Sequence, residues 1–178
     1  MLVFLIGFMG CGKSTMGHRV AKKLGYGFID MDHDIEARTG MSVSEIFERH
    51  GEAFFREEER AAIERYAGMS DMVVATGGGA PCSGDNMDRL NRTGTTVYLK
   101  MSPERIAVRL SSHGREKRPL LRGKNDAEVL AYIRERLPQR EPFYAQAALL
   151  IDSEGVSDDY IAEHITTFIE NQHQQQTK

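Results

Sequence analysis

The run Gly7-Phe8-Met9-Gly10-Cys11-Gly12-Lys13-Ser14 sets glycines, a lysine and a hydroxyl at the G-x-x-x-x-G-K-[ST] spacing of a phosphate-binding loop. Glycines let the backbone bend and bring its N–H groups close to phosphate oxygens. A helix starting there adds the positive end of its dipole. Lys13 supplies a positive charge for the β- and γ-phosphates, and Ser14 a hydroxyl for Mg²⁺. The flanks agree with this reading: Leu2-Val3-Phe4-Leu5-Ile6 is an apolar run that reads as a buried parallel strand, and 15–24 carries helical spacing. A nucleoside triphosphate is therefore the expected ligand.

Three further clusters carry chemistry. Asp30-Met31-Asp32 closes a second apolar run, and alternation puts both carboxylates on one side of an extended segment. One can reach Mg²⁺ while the other meets a substrate hydroxyl. Thr76-Gly77-Gly78-Gly79-Ala80-Pro81 follows a third run; three glycines cost entropy and make sense where a ligand touches main chain. In Phe54-Phe55-Arg56-Glu57-Glu58-Glu59, Arg56 and Glu59 are helix-surface neighbours, so Glu59 can aim a guanidinium suited to a carboxylate. Phe47 and Phe55 offer an apolar wall, although their types fit an ordinary core equally well.

These residues need a frame. Apolar runs at 2–6, 27–29, 72–75, 95–99 and 148–151 alternate with helical patterns at 35–49, 53–67, 84–91, 103–110, 127–139 and 158–171. That alternation predicts an α/β fold, a three-layer α/β/α arrangement on a parallel five-stranded sheet with the P-loop after its first strand. Ligands then gather at the carboxyl ends of the strands, where Asp30, Thr76 and Asp152 fall. Asp152 fits an ordinary loop residue. The chain reads as a single domain, 1–178, with substrate-binding helices at about 33–67. A basic, glycine-flanked lid is expected at about 111–124, and a disordered polar tail at 171–178.

Composition removes other classes. With 178 residues the chain can bury a core without staples, and a net charge of −3 argues against general nucleic-acid binding. Two cysteines, Cys11 and Cys82, give no disulfide framework and suit a reducing cytoplasm. Cys11 reads as a small residue tolerated in a loop whose backbone does the binding. The six histidines show no paired metal spacing, the first residues lack the form of a signal peptide, and no apolar run approaches a membrane span of about 20 residues. A cytoplasmic monomer is expected, with no nucleic-acid or membrane partner.

Taken together, G-F-M-G in the P-loop, D-M-D, F-F-R-x-x-E, A-T-G-G-G-A, R-P-L-L and R-x-x-x-Y near 140 resemble the shikimate kinases, over nearly the whole chain. The resemblance implies transfer of the ATP γ-phosphoryl group to the 3-hydroxyl of shikimate, in aromatic amino-acid biosynthesis. It implies ATP on Gly10, Cys11, Gly12, Lys13, Ser14 and Thr15 with Arg109 and Arg118. It implies shikimate on Asp32, Arg56, Gly77, Gly78, Gly79 and Arg140. Mg²⁺ would sit on Ser14 and, through water, on Asp30; Lys13, Asp32 and Arg118 would serve catalysis. Asp32 at its usual pKa would orient the hydroxyl rather than deprotonate it. Two rivals remain at this point: another small-metabolite kinase of the same fold, and a nucleotide switch without an acceptor.

Overall fold

The computed structural model describes residues 1–112 and 118–176. Five strands, β1 (Leu2–Ile6), β2 (Gly27–Asp30), β3 (Met72–Ala75), β4 (Thr95–Lys100) and β5 (Leu149–Asp152), pair in parallel in the order β2-β3-β1-β4-β5. Every residue of β1 is buried, as a strand flanked on both edges and covered on both faces must be. Helices α1 (Lys13–Leu24), α2 (Met31–Thr39), α3 (Val43–Tyr66), α4 (Asn86–Thr93), α5 (Pro103–Ser112), α6 (Asp126–Tyr144) and α7 (Asp158–Gln176) complete the layers. The chain leaves β1 toward β2 and β3 on one side, and reaches β4 and β5 on the other. β1 therefore ends at the point where connections diverge, which opens a crevice there.

Four local readings change. β2 stops at Asp30, and Asp32 already lies in the first turn of α2. The cause is Asp30 itself: its Oδ1 accepts from the backbone N–H groups of Asp32 (3.2 Å) and His33 (3.5 Å), an N-cap that starts the helix at once. The break expected between 49 and 53 is present as a kink at Gly51 (φ 82°, ψ 173°) within α3, but the stretch before it is not one helix: a further break falls at Gly40–Ser42, where Ser42 and Glu45 form a capping box. α6 does not stop at 139 but continues through Pro138 and Pro142, because its last turn is anchored by the fully buried Tyr144. The polar tail is helical as far as Gln176. Ile161, Ile165 and Ile169 fasten α7 to the core, and the following glutamines are good helix formers.

Of the expected lid, 113–117 lie outside the described residues, as do 177 and 178. The remainder includes a single 3-10 turn, Pro119–Leu121, with Leu121 buried. No helix among the described residues is long and apolar enough to cross a membrane.

Candidate active site

β1 delivers the loop 7–14 to the crevice. Gly12 serves as N-cap of α1 at φ 95°, ψ 19°, a left-handed conformation that favours glycine, and Gly10 is also left-handed at φ 82°. Lys13 is less mobile than its sequence suggests. It is 8 % exposed, and its Nζ donates to the carbonyl oxygens of Gly7 (2.9 Å) and Phe8 (3.0 Å), so the ammonium is tethered across its own loop. Ser14 Oγ donates to Asp30 Oδ2 at 2.5 Å, bringing the hydroxyl at the head of α1 against the carboxylate at the end of β2.

A cavity of about 570 Å³ spreads over this loop. It brings together Gly10, Gly12, Lys13, Ser14, Thr15, Asp30, Asp32, Gly77, Gly78, Arg109 and Arg118, with Thr76 also in its wall. Arg109 packs its guanidinium against Gly12, where a Cβ would stand 3.0 Å from Nη2. Burial lowers the pKa of Arg118 against the pull of Asp32. Cys11 is the exception among the expected triphosphate residues: its side chain is buried and faces a small void behind the loop, leaving only backbone for a ligand.

Arg56, Gly79 and Arg140 do not line that cavity; they form a cup beside it. Arg56 Nη1 pairs with Glu59 Oε2 at 2.7 Å and Nη2 with Glu52 Oε1 at 2.7 Å, so the fork is held from two turns of α3. Its face covers Gly79, where a Cβ would lie 2.5 Å from both terminal nitrogens. At Gly79, then, the close approach comes from a protein side chain, while Gly77 and Gly78 remain in the wall of the cavity. Arg140 sits over the Phe8 ring, 5.0 Å from its centroid. Phe47 and Phe55 pack on each other at 5.2 Å, and Phe55 is buried among core residues. Asp152 accepts from the Glu154 N–H at 3.0 Å, which is ordinary loop work.

Among the described residues, three buried side-chain polar atoms lack a hydrogen-bond partner: Asp32 Oδ1, Glu59 Oε1 and Arg140 Nη1. Glu59 and Arg140 belong to the cup and Asp32 to the adjoining wall of the cavity, and such atoms are costly unless something meets them. Burial pushes the Glu59 carboxyl up to about 7, helped by Asp32 and opposed by Arg56 and Arg140. Burial and the Asp30 charge also raise Asp32 above the usual carboxylate range, which corrects the premise that it keeps an ordinary pKa.

Sequence reasoning missed two supports. Glu52 completes the hold on Arg56; its i,i+4 spacing was the available signal. Tyr144 donates to the Gly78 carbonyl oxygen, and its spacing of four from Arg140 puts both on one face of α6.

A parallel sheet with a glycine loop and helix at the carboxyl end of its central strand, facing a second cup of guanidinium and carboxylate groups, defines a P-loop kinase. The family model for shikimate kinase matches residues 9–170. A curated shikimate kinase of Parabacteroides distasonis is 47% identical over 152 residues, covering 85% of this chain and 87% of the relative. The crystal structure of shikimate kinase from Bacteroides thetaiotaomicron superposes with a TM-score of 0.88 at 39% identity, covering 96% of this chain and 98% of that one. That of Acinetobacter baumannii, in complex with shikimate, gives 0.86 at 34%, covering 96% and 93%. The chain belongs to the shikimate kinase family.

Proposed function

We propose that this chain transfers the γ-phosphoryl group of ATP to the 3-hydroxyl of shikimate, yielding ADP and shikimate 3-phosphate. The observation that carries this reading is the placement of Asp32. Its buried, partnerless Oδ1 stands where the P-loop cavity meets the cup that holds Arg56, Glu59 and Arg140.

ATP lies with its phosphates on the main chain of Gly10, Cys11 and Gly12, and on Lys13, Ser14 and Thr15, while Arg109 flanks the nucleotide. Mg²⁺ suits the same corner: Ser14 and Asp30 present two hard oxygens 2.5 Å apart, one hydroxyl and one carboxylate, the donor type this ion takes. Ser14 and Asp30 would hold Mg²⁺ there, Asp30 through water, and the ion would supply positive charge to the phosphate oxygens.

The remaining work belongs to side chains. Arg56 and Arg140 clamp the shikimate carboxylate, with Gly77, Gly78 and Gly79 closing on the ring. Asp32 accepts a hydrogen bond from the reacting hydroxyl and points its oxygen at the γ-phosphorus. As that oxygen bonds to phosphorus, the bond from phosphorus to the ADP oxygen breaks and the hydroxyl proton is released. Lys13 and Arg118 stabilise charge on the phosphoryl group in flight, where positioning and electrostatics dominate. The two free thiols fit a cytoplasmic enzyme, and we take it to act as a monomer.

A coupled ADP-release assay tests this. Turnover that requires shikimate is the expected result. ADP release at the same rate with no acceptor, or with gluconate in its place, would overturn it.

A further inference from the structure

The geometry points to a second role for Glu59: it is a positioning residue that trades its cation for a proton, so that when the acid takes the Arg56 guanidinium, the Glu59 carboxylate is protonated from solvent. This rests on the shikimate reading of the cup and adds to it a proton taken up on binding.

Glu59 is 0 % exposed, and only its Oε2 is engaged, by Arg56 at 2.7 Å. Its Oε1 has no partner, and it shares the space beside Gly77 with Asp32 Oδ1, which also has none; both lie within 3.0 Å of the point where a Gly77 Cβ would stand. Two carboxylate oxygens turned toward one spot, with no donor between them, repel each other. A proton on Glu59 Oε1 would instead put a donor opposite an acceptor.

The charges facing Glu59 come from several elements. Arg56 lies on its own helix, with Glu52 on the far side of that guanidinium. Asp32 comes from the first turn of α2, Arg140 from α6, and the Cys82 thiol from the turn after the glycine triplet. Two guanidinium groups thus already answer two buried carboxylates. A further carboxylate, brought by the substrate, adds one negative charge to that balance. Three effects then act on Glu59 with one sign. Arg56 is drawn toward the newcomer, a new negative charge arrives, and water is displaced; each favours the neutral acid. With the free site's pKa at about 7, Glu59 is about half ionised at neutrality, so the swing is available in the working range.

Calorimetric titration of the full chain with shikimate alone tests this, in PIPES and in imidazole, buffers with different ionisation heats. At pH 7 the expected result is uptake of about half a proton per shikimate bound, shrinking toward zero at pH 5.5, where Glu59 already holds its proton. Glu59→Gln keeps the shape and a hydrogen-bonding oxygen for Arg56, and is expected to abolish the buffer dependence. Equal heats in both buffers would overturn the proposal, as would uptake at pH 5.5 equal to that at pH 7 or undiminished uptake in Glu59→Gln. Those outcomes leave shikimate binding intact. Absence of binding in either buffer would instead overturn the shikimate reading itself, and this inference with it.

Discussion

Tyr144 donates its hydroxyl to the carbonyl oxygen of Gly78, tying the last turn of α6 to the middle of the glycine triplet. Arg140 stands one turn earlier on the same helix, so one buried phenol fixes both a guanidinium of the cup and the backbone it faces. Tyr144→Phe removes the donor and leaves the carbonyl unanswered. The expected cost is about 1–3 kcal/mol in urea denaturation, with KM for shikimate rising and KM for ATP unchanged. An equal rise for both substrates would contradict the separation of the two pockets.

Arg118 lies in the wall of the P-loop cavity, where burial weakens its hold on its proton while Asp32 strengthens it. A guanidinium that meets the phosphoryl group mainly in the transition state affects kcat more than ground-state affinity. Arg118→Ala is expected to lower kcat by about 10²-fold or more, with the shikimate Kd within about twofold of wild type. An unchanged kcat would remove Arg118 from the chemistry.

The pH dependence of stability follows from Glu59. Its carboxyl titrates at about 7 in the fold against a reference of 4.5, so the folded state binds the proton more tightly. The contribution of this group to stability is therefore full below about pH 4.5 and is lost as pH rises to about 7. Carboxyls such as Asp34, held below their usual range by hydrogen bonds to Tyr66 and Arg65 against the cost of burial, act in the opposite sense at acid pH. The measurable quantity is thus the difference between proteins: relative to Glu59→Gln, the wild type should lose stability from pH 5 to pH 8 in urea melts. A difference that stays constant with pH would show that Glu59 does not titrate in that window.

Ser14 and Asp30 can be separated from the fold. Asp30 also caps α2, and Asn is an equally good cap, so Asp30→Asn keeps the helix while removing the charge offered to the cation. Chelation with EDTA should abolish turnover. Asp30→Asn and Ser14→Ala should each raise the Mg²⁺ needed for half-maximal rate by about tenfold, read from initial rates at fixed ATP. Melting temperatures near wild type would show that the loss is one of cation binding.

Much of this was legible in residue types because local and global signals agreed. Leu2–Ile6 could only be a buried strand, and the glycine loop after it needed the left-handed turn that Gly12 makes. Boundaries failed where side chains overrode propensity. Asp30 began α2 earlier than apolar periodicity implied, and Tyr144 carried α6 past two prolines. The tethering of Lys13 to Gly7 and Phe8, and the two orphaned oxygens beside Gly77, arise from distances set by tertiary packing, which spacing along the chain does not encode.

Gly79 gives the sharpest test of the cup. Its backbone, φ −91° and ψ −15°, is open to any residue, so alanine there carries no conformational penalty. A Cβ would nevertheless lie 2.5 Å from both terminal nitrogens of Arg56, far inside contact distance. The end of an arginine ordinarily moves aside at little cost. Here Glu59 and Glu52 hold both nitrogens at 2.7 Å, and Glu59 is itself immobile in the core, so the guanidinium can yield only by breaking one pair. Gly79→Ala is therefore expected to lower stability by about 1–3 kcal/mol and to raise KM for shikimate by about tenfold, with the ATP site intact. Reducing the hold on the fork should relieve the clash, so Gly79→Ala combined with Glu52→Gln should recover part of the lost stability in a double-mutant cycle. Strict additivity in that cycle would show that Arg56 is not what the alanine strikes.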